Sequence, residues 1–147
     1  MEFTQSVTLF LVPIIVFFVT EIVKIVNYIR KYGRNASYFS LLDGHMPSAH
    51  TAYVSSLVTM MWLFEGYRSP SFAVSLILAT IVITDALKLR AHVGHQAEYL
   101  NHIVRHLNLD AKEFPPLKIH VGHKPKEVAV GAVFGILLTL VITAFLV

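Results

Sequence analysis

The chain has 147 residues, 55% of them hydrophobic and 14% charged, with a mean hydropathy of +0.63. A water-soluble domain carries about 25% charged residues, so this composition excludes an ordinary soluble fold and points to helices immersed in lipid. The lack of cysteine removes disulfides and thiolate metal sites from consideration, and a formal net charge of +3 suits a chain that meets anionic lipid or phosphate.

The first apolar stretch, from about Val7 to Tyr28, is long enough to cross a hydrocarbon core of roughly 30 Å. Only Glu2 is charged ahead of it, while Lys24, Arg30, Lys31 and Arg34 follow. A cleaved signal would carry its positive charge in front, so a retained helix is expected. A break with Gly33, Asn35, Asp43, Gly44 and Pro47 comes next. Pro47 and Ser48 read as a helix start, and a short second helix is predicted over Ser48 to Phe64. Gly66, Ser69 and Pro70 make a tight turn before a third helix from Ser71 to Leu89. The stretch from Ala91 to Lys124 is polar, and within it Gly94 to Leu107 can form a short amphipathic helix at the membrane surface. Pro115 and Pro116 interrupt regular structure there. Val128 to Val147, without a charge, is the clearest span. The expected fold is an all-α integral membrane protein, residues 1–147 forming a single bundle of about four transmembrane helices plus the short amphipathic helix.

Four spans place both termini on one side. Of the twelve Lys and Arg residues, all but Arg68 then lie where helices one and three end and helices two and four begin. The positive-inside tendency puts that end in the cytoplasm of a multi-pass cell-membrane protein. The eight histidines, His45, His50, His92, His95, His102, His106, His120 and His123, share it.

Three groups of residues at this end can carry chemistry. A carboxylate at Glu127, four residues after His123, can fix the imidazole tautomer and leave the opposite nitrogen free as nucleophile or base. The bland alternative is an interfacial histidine beside a capping glutamate. The segment Gly44-His45-Met46-Pro47-Ser48-Ala49-His50 combines exposed N–H groups and a hydroxyl, the ingredients of an anion cradle, with a histidine able to protonate a departing oxygen. It also reads as an ordinary capped helix start. Asp85, Lys88 and Arg90 close the third helix. Asp85 needs a cation if buried, with Lys24 one candidate, and Arg90 can clamp phosphate with two bonds. Lys88 reads as a snorkelling lysine. His102 and His106 have the spacing of a helical metal pair, but the third and fourth ligands zinc needs are not evident. No metal is expected. Gly131 and Gly135 form a small-xxx-small pattern that serves intramolecular packing as readily as a homo-oligomer.

Taken together, these segments resemble the divergent membrane branch of the type 2 phosphatidic acid phosphatase and vanadium-dependent haloperoxidase superfamily. Gly44, Met46, Pro47, Ser48 and His50 match its first block. Asp85, Ala86, Arg90, Gly94, Gln96, Ala97, Leu100 and Asn101 match the second, and Gly122, His123, Pro125, Glu127, Val128 and Gly131 the third. His45 and Ala49 replace a glycine and a serine, Lys88 a glycine, and Ala91 a second arginine. The Ser-Arg that the wider superfamily places before its last histidine is missing, and Lys118 is the nearest cation.

The resemblance implies a lipid phosphatase with His123 as nucleophile, Glu127 orienting it and His50 as acid. It places Lys24, Gly44, Ser48 and Arg90 around the phosphate, with Asp85, Gly94, Gln96, Asn101 and Gly131 in support. It implies a phosphohistidine intermediate and no cofactor. Expected partners are membrane lipids, with an anionic phospholipid or polyprenyl phosphate as substrate and no nucleic acid. The competing expectation is an inactive membrane scaffold or transport subunit that keeps a vestigial phosphate site.

Overall fold

The computed structural model describes residues 3–33, 46–119 and 123–146. It is an all-α, multi-pass membrane bundle. Helix α1 spans Phe3–Tyr32, α2 Ala49–Glu65, α3 Pro70–Thr84, α4 Arg90–His106 and α5 Pro125–Leu146, and a π-helical turn, Asp85–Leu89, joins α3 to α4. Three stretches are long and apolar enough to cross a membrane: Val7–Tyr32, Pro70–His106 and Pro125–Leu146. At 17 residues, α2 reaches about 25 Å at 1.5 Å per residue, as short as its sequence suggests. It occupies the middle of the bundle, against α1, α3 and, most extensively, α5.

Two expectations change. Gly94 to Leu107 forms the helix expected there, as part of α4 with Leu107 its C-cap, but that helix is not separate from α3. The π turn carries the chain from α3 into α4 without a break, so the polar residues after Leu89 ride on a continuation of a spanning helix. Helix two begins at Ala49, with Ser48 as its N-cap, so Pro47 lies before the cap and outside the first turn. Ser69 caps α3 as expected, accepting the Phe72 N–H at 3.1 Å with Pro70 in the first turn.

The apolar core is small. Leu9, Val12 and Val16 on one face of α1 meet Ala52 and Met60 of α2, while Phe10, Phe18, Val74, Ile77, Ile81, Val133 and Trp62 are exposed. Large apolar side chains on the outside are stable only against lipid. In lipid, helices gain little by hiding hydrocarbon from one another and associate through close packing. The α2–α5 seam does this with small residues. A Cβ on Gly131 would stand 2.5 Å from the Ser48 carbonyl oxygen, and one on Gly135 would overlap the Ala52 backbone, with its Cα at 2.7 Å. One turn further along, Thr139 donates to the Gly135 carbonyl at 2.7 Å, and its hydroxyl lies 2.6 Å from that of Ser56. The pairs Ser48–Gly131, Ala52–Gly135 and Ser56–Thr139 therefore repeat every four residues along two parallel helices. The small-xxx-small pattern is used within the chain.

Buried hydroxyls elsewhere return their bonds to the preceding turn, as in Thr20 to Val16 and Thr59 to Ser55. Among the described residues no buried side-chain nitrogen or oxygen lacks a partner, as a low-dielectric interior requires.

Gly131→Ala and Gly135→Ala should each force α5 away from α2 and destabilise the bundle by about 1–3 kcal/mol. Val133→Ala on the lipid face should stay within about 0.5 kcal/mol. Unfolding of the purified protein in detergent micelles, followed by circular dichroism, checks the contrast.

Candidate functional site

The charged end of the bundle is assembled from the first turns of α2 and α5, the π turn and the last turns of α1. Main-chain bonds join three of these parts. The Ser48 N–H donates to the Glu127 carbonyl at 3.3 Å, and the His123 N–H donates to the Ala86 carbonyl at 3.2 Å. The segment ahead of α5 is thus held against the π turn, and the start of α2 against the first turn of α5. His123 lies two residues before α5, so its side chain is placed by these contacts rather than by helical periodicity.

Glu127 faces back from α5. Its Oε2 lies 3.1 Å from His123 Nδ1 and also accepts the Lys124 N–H at 3.1 Å. The pair is nearly enclosed, with side-chain exposures of 10% and 12%. A carboxylate held by a backbone N–H is fixed in direction. It therefore favours a proton on His123 Nδ1 and leaves Nε2 as the basic nitrogen.

Around this pair the structure gathers other predicted residues. His50, exposed in the first turn of α2, lies within electrostatic range of Arg90, Glu21, His123 and Lys24. Phe17 of α1 sits edge-on to both His50 and Tyr53, each at 5.8 Å between ring centroids, so an aromatic wall limits the movement of the His50 ring. Lys24 is almost fully buried and bonds Glu21, one turn before it on α1, at 2.8 Å. Asp85 accepts from Arg90 Nε at 3.3 Å. This corrects the expected pairing of Asp85 with Lys24: each cation is held by a carboxylate on its own helix. Asp85 also stays about one-third exposed, so it needs no cation from across the bundle.

Ser48 is fully buried beside Gly131, and its hydroxyl lies 2.9 Å from that of Thr51. Its contribution is to fix the start of α2. Gly44 falls outside the described residues. Gly94 is buried, while Gln96 is exposed on α4. Asn101 clasps the loop after α4: its amide donates to the Leu117 carbonyl at 2.7 Å and accepts the Leu117 N–H at 2.8 Å. An apolar groove of about 600 Å³ lies under that loop, lined by Val104, Leu109, Phe114 and Leu117 among others; none of the residues around His123 lines it. The His102 and His106 rings stack on one another at 6.3 Å, and among the described residues no three His, Asp or Glu side chains converge as metal ligands.

Several contributors were not singled out from sequence. Thr51 and Glu21 have a visible signal in their three-residue spacing from Ser48 and Lys24, the spacing that makes helical neighbours. Phe17 and Tyr53 have none, because they belong to different helices.

YuiD of Bacillus subtilis (strain 168), described as an uncharacterized membrane protein, is 43% identical over 114 residues, which cover 69% of this chain and 72% of that protein. No solved structure matches the chain. Residues 5–138 match the family described as Divergent PAP2, a region that contains all of the histidines, carboxylates and cations gathered at this end, and the chain therefore belongs to the divergent PAP2 (type 2 phosphatidic acid phosphatase) family.

Proposed function

We propose that this protein is a lipid phosphatase that hydrolyses a phosphomonoester at the charged end of the bundle through a phosphohistidine. The observation that carries this reading is the enclosed His123–Glu127 pair at 3.1 Å, with His123, Arg90 and Lys24 each in electrostatic range of His50. With Nδ1–H held by Glu127, Nε2 of His123 attacks phosphorus. A P–N bond forms as the bond from phosphorus to the lipid oxygen breaks. His50 gives that oxygen a proton, so the lipid leaves as a neutral alcohol. His50, now neutral, takes a proton from water, the hydroxide oxygen attacks phosphorus, and the P–N bond breaks to release inorganic phosphate and restore His123. Arg90 and Lys24 offset the negative charge spread over the transferring oxygens, and Glu127 stabilises the imidazolium character of His123.

Membership in the family, the multi-pass fold and the excess of cations support a phosphorylated lipid as substrate. Phosphatidylglycerophosphate, phosphatidic acid and a polyprenyl phosphate share the required terminal phosphomonoester. The same charge asymmetry, with Arg68 alone at the opposite end, supports a site that faces the cytoplasm.

Purified protein offered these three lipids should release inorganic phosphate from at least one. His123→Ala should lower turnover by about 10³-fold or more and Glu127→Gln by about 10²-fold. Acid-labile, base-stable label from a ³²P-lipid should remain on the wild-type chain after rapid quenching and be missing from His123→Ala. Equal turnover by wild type and His123→Ala would refute the nucleophile; no release from any lipid would favour a vestigial site on a scaffold.

Orientation is open to a separate measurement, because the chain has no cysteine. Lys112→Cys should resist a membrane-impermeant maleimide in intact cells and react after lysis, whereas Arg68→Cys should react from outside. The reverse pattern would turn the site to the other face.

A further inference from the structure

The joint between α3 and α4 is a π-helical turn, Asp85–Leu89, in which the Arg90 N–H bonds the Asp85 carbonyl five residues back. Such a turn accommodates one more residue than an α-helical turn. It has two geometric consequences here. In an α-helix, residues five apart point about 140° away from one another at 100° per residue; in the widened turn they lie one above the other. Asp85 and Arg90 are five apart, and they are bonded twice, main chain to main chain and Asp85 Oδ2 to Arg90 Nε at 3.3 Å. The second consequence concerns the carbonyls. Where a ladder returns from five-residue to four-residue spacing, one carbonyl is passed over by the helix's own donors. The Ala86 carbonyl of this turn accepts the His123 N–H.

Resting on the phosphatase reading above, we infer that the π turn is the device that sets Arg90 against His123, and that Asp85 is a positioning residue for Arg90. The carboxylate takes Nε and leaves the two terminal nitrogens, with four N–H donors, for the oxygens of a phosphate. The same turn anchors the main chain of the attacking histidine, so cation and nucleophile are referred to one rigid element. Arg90 and His123 both lie within electrostatic range of His50, and the turn that carries Arg90 is the one to which the His123 main chain is bonded. In a regular helix, Arg90 would swing by about 100° and lose Asp85.

The test uses the full-length protein in detergent micelles, titrated with inorganic phosphate by calorimetry, so that binding is read without turnover. Wild type should bind, and Arg90→Ala and Asp85→Ala should each weaken binding about tenfold or more. Asp85→Asn, which keeps an acceptor oxygen, should recover part of the loss. The double variant Asp85→Ala/Arg90→Ala should be no weaker than Arg90→Ala alone, since Asp85 acts only through Arg90. Deletion of Leu87 restores the regular ladder and sets Asp85 and Arg90 four apart, still neighbours. It returns the Ala86 carbonyl to the helix's own donors and so loosens the His123 anchor, and it should weaken binding about fivefold or more. Additive losses in the double variant, or an Asp85→Ala protein that binds as wild type does, would overturn the positioning role while the phosphate site stands. Wild-type binding in the Leu87 deletion would overturn the role of the widened turn. If that deletion does not fold, the Asp85 series decides alone. A wild-type protein that binds no phosphate would overturn the phosphatase reading and this inference together.

Discussion

The close approach of α2 and α5 is the constraint on which the rest depends. In lipid, two helices cannot be driven together by hiding hydrocarbon from water, and here they meet backbone to backbone at Gly131 and Gly135. The repeat of Ser48–Gly131, Ala52–Gly135 and Ser56–Thr139 fixes both the register and the parallel direction of the pair. Parallel direction brings the first turns of both helices to the same end. That is why the N-cap of α2 and the segment before α5 are neighbours, and why His50 and His123, distant in sequence, stand at the same end of the bundle.

From that seam the polar end follows by backbone bonding rather than by charge. Ser48 donates to Glu127 and His123 to Ala86, so the helix ends are tied before any side chain acts. The ionic groups are then distributed locally: Glu21 holds Lys24, Asp85 holds Arg90 and Glu127 holds His123. No cation needs a carboxylate from another helix among these pairs. Each helix can thus carry its own compensated charge into a low-dielectric setting, where an unpaired one would be costly, and the site is formed when the helices meet.

The parts that were legible in the sequence are those set by composition along one helix. The spans follow from long runs without charge, and the helix after Ser69 from its cap and proline. The Glu127–His123 pair follows from a spacing of four, and the placement of His50 and His123 at one end from topology. The parts that were not legible depend on geometry between helices or on a change of helical repeat. Asp85 and Arg90 are five apart, a spacing that an α-helix separates, so the sequence offered Lys24 as partner instead. Nothing in Asp85-Ala86-Leu87-Lys88-Leu89 signals a π turn, and without it the polarity after Leu89 reads as the start of a new element. Ser48 looked like an open hydroxyl because its burial is imposed by Gly131 from a helix 83 residues away.

The shortness of α2 has one more consequence. At about 25 Å it falls some 5 Å short of a hydrocarbon core of roughly 30 Å, whereas α1 runs on from Lys24 to Tyr32, about 12 Å further, and α4 leaves in the same region. The site is therefore set on a ledge, with taller helices beside it. A headgroup offered to such a ledge would approach it sideways, to a depth governed by hydrophobic mismatch with the surrounding leaflet. Under the proposed phosphatase reading, bilayer thickness acts as a selector of substrate, working through the depth at which a phosphate is presented rather than through any contact with the acyl chains.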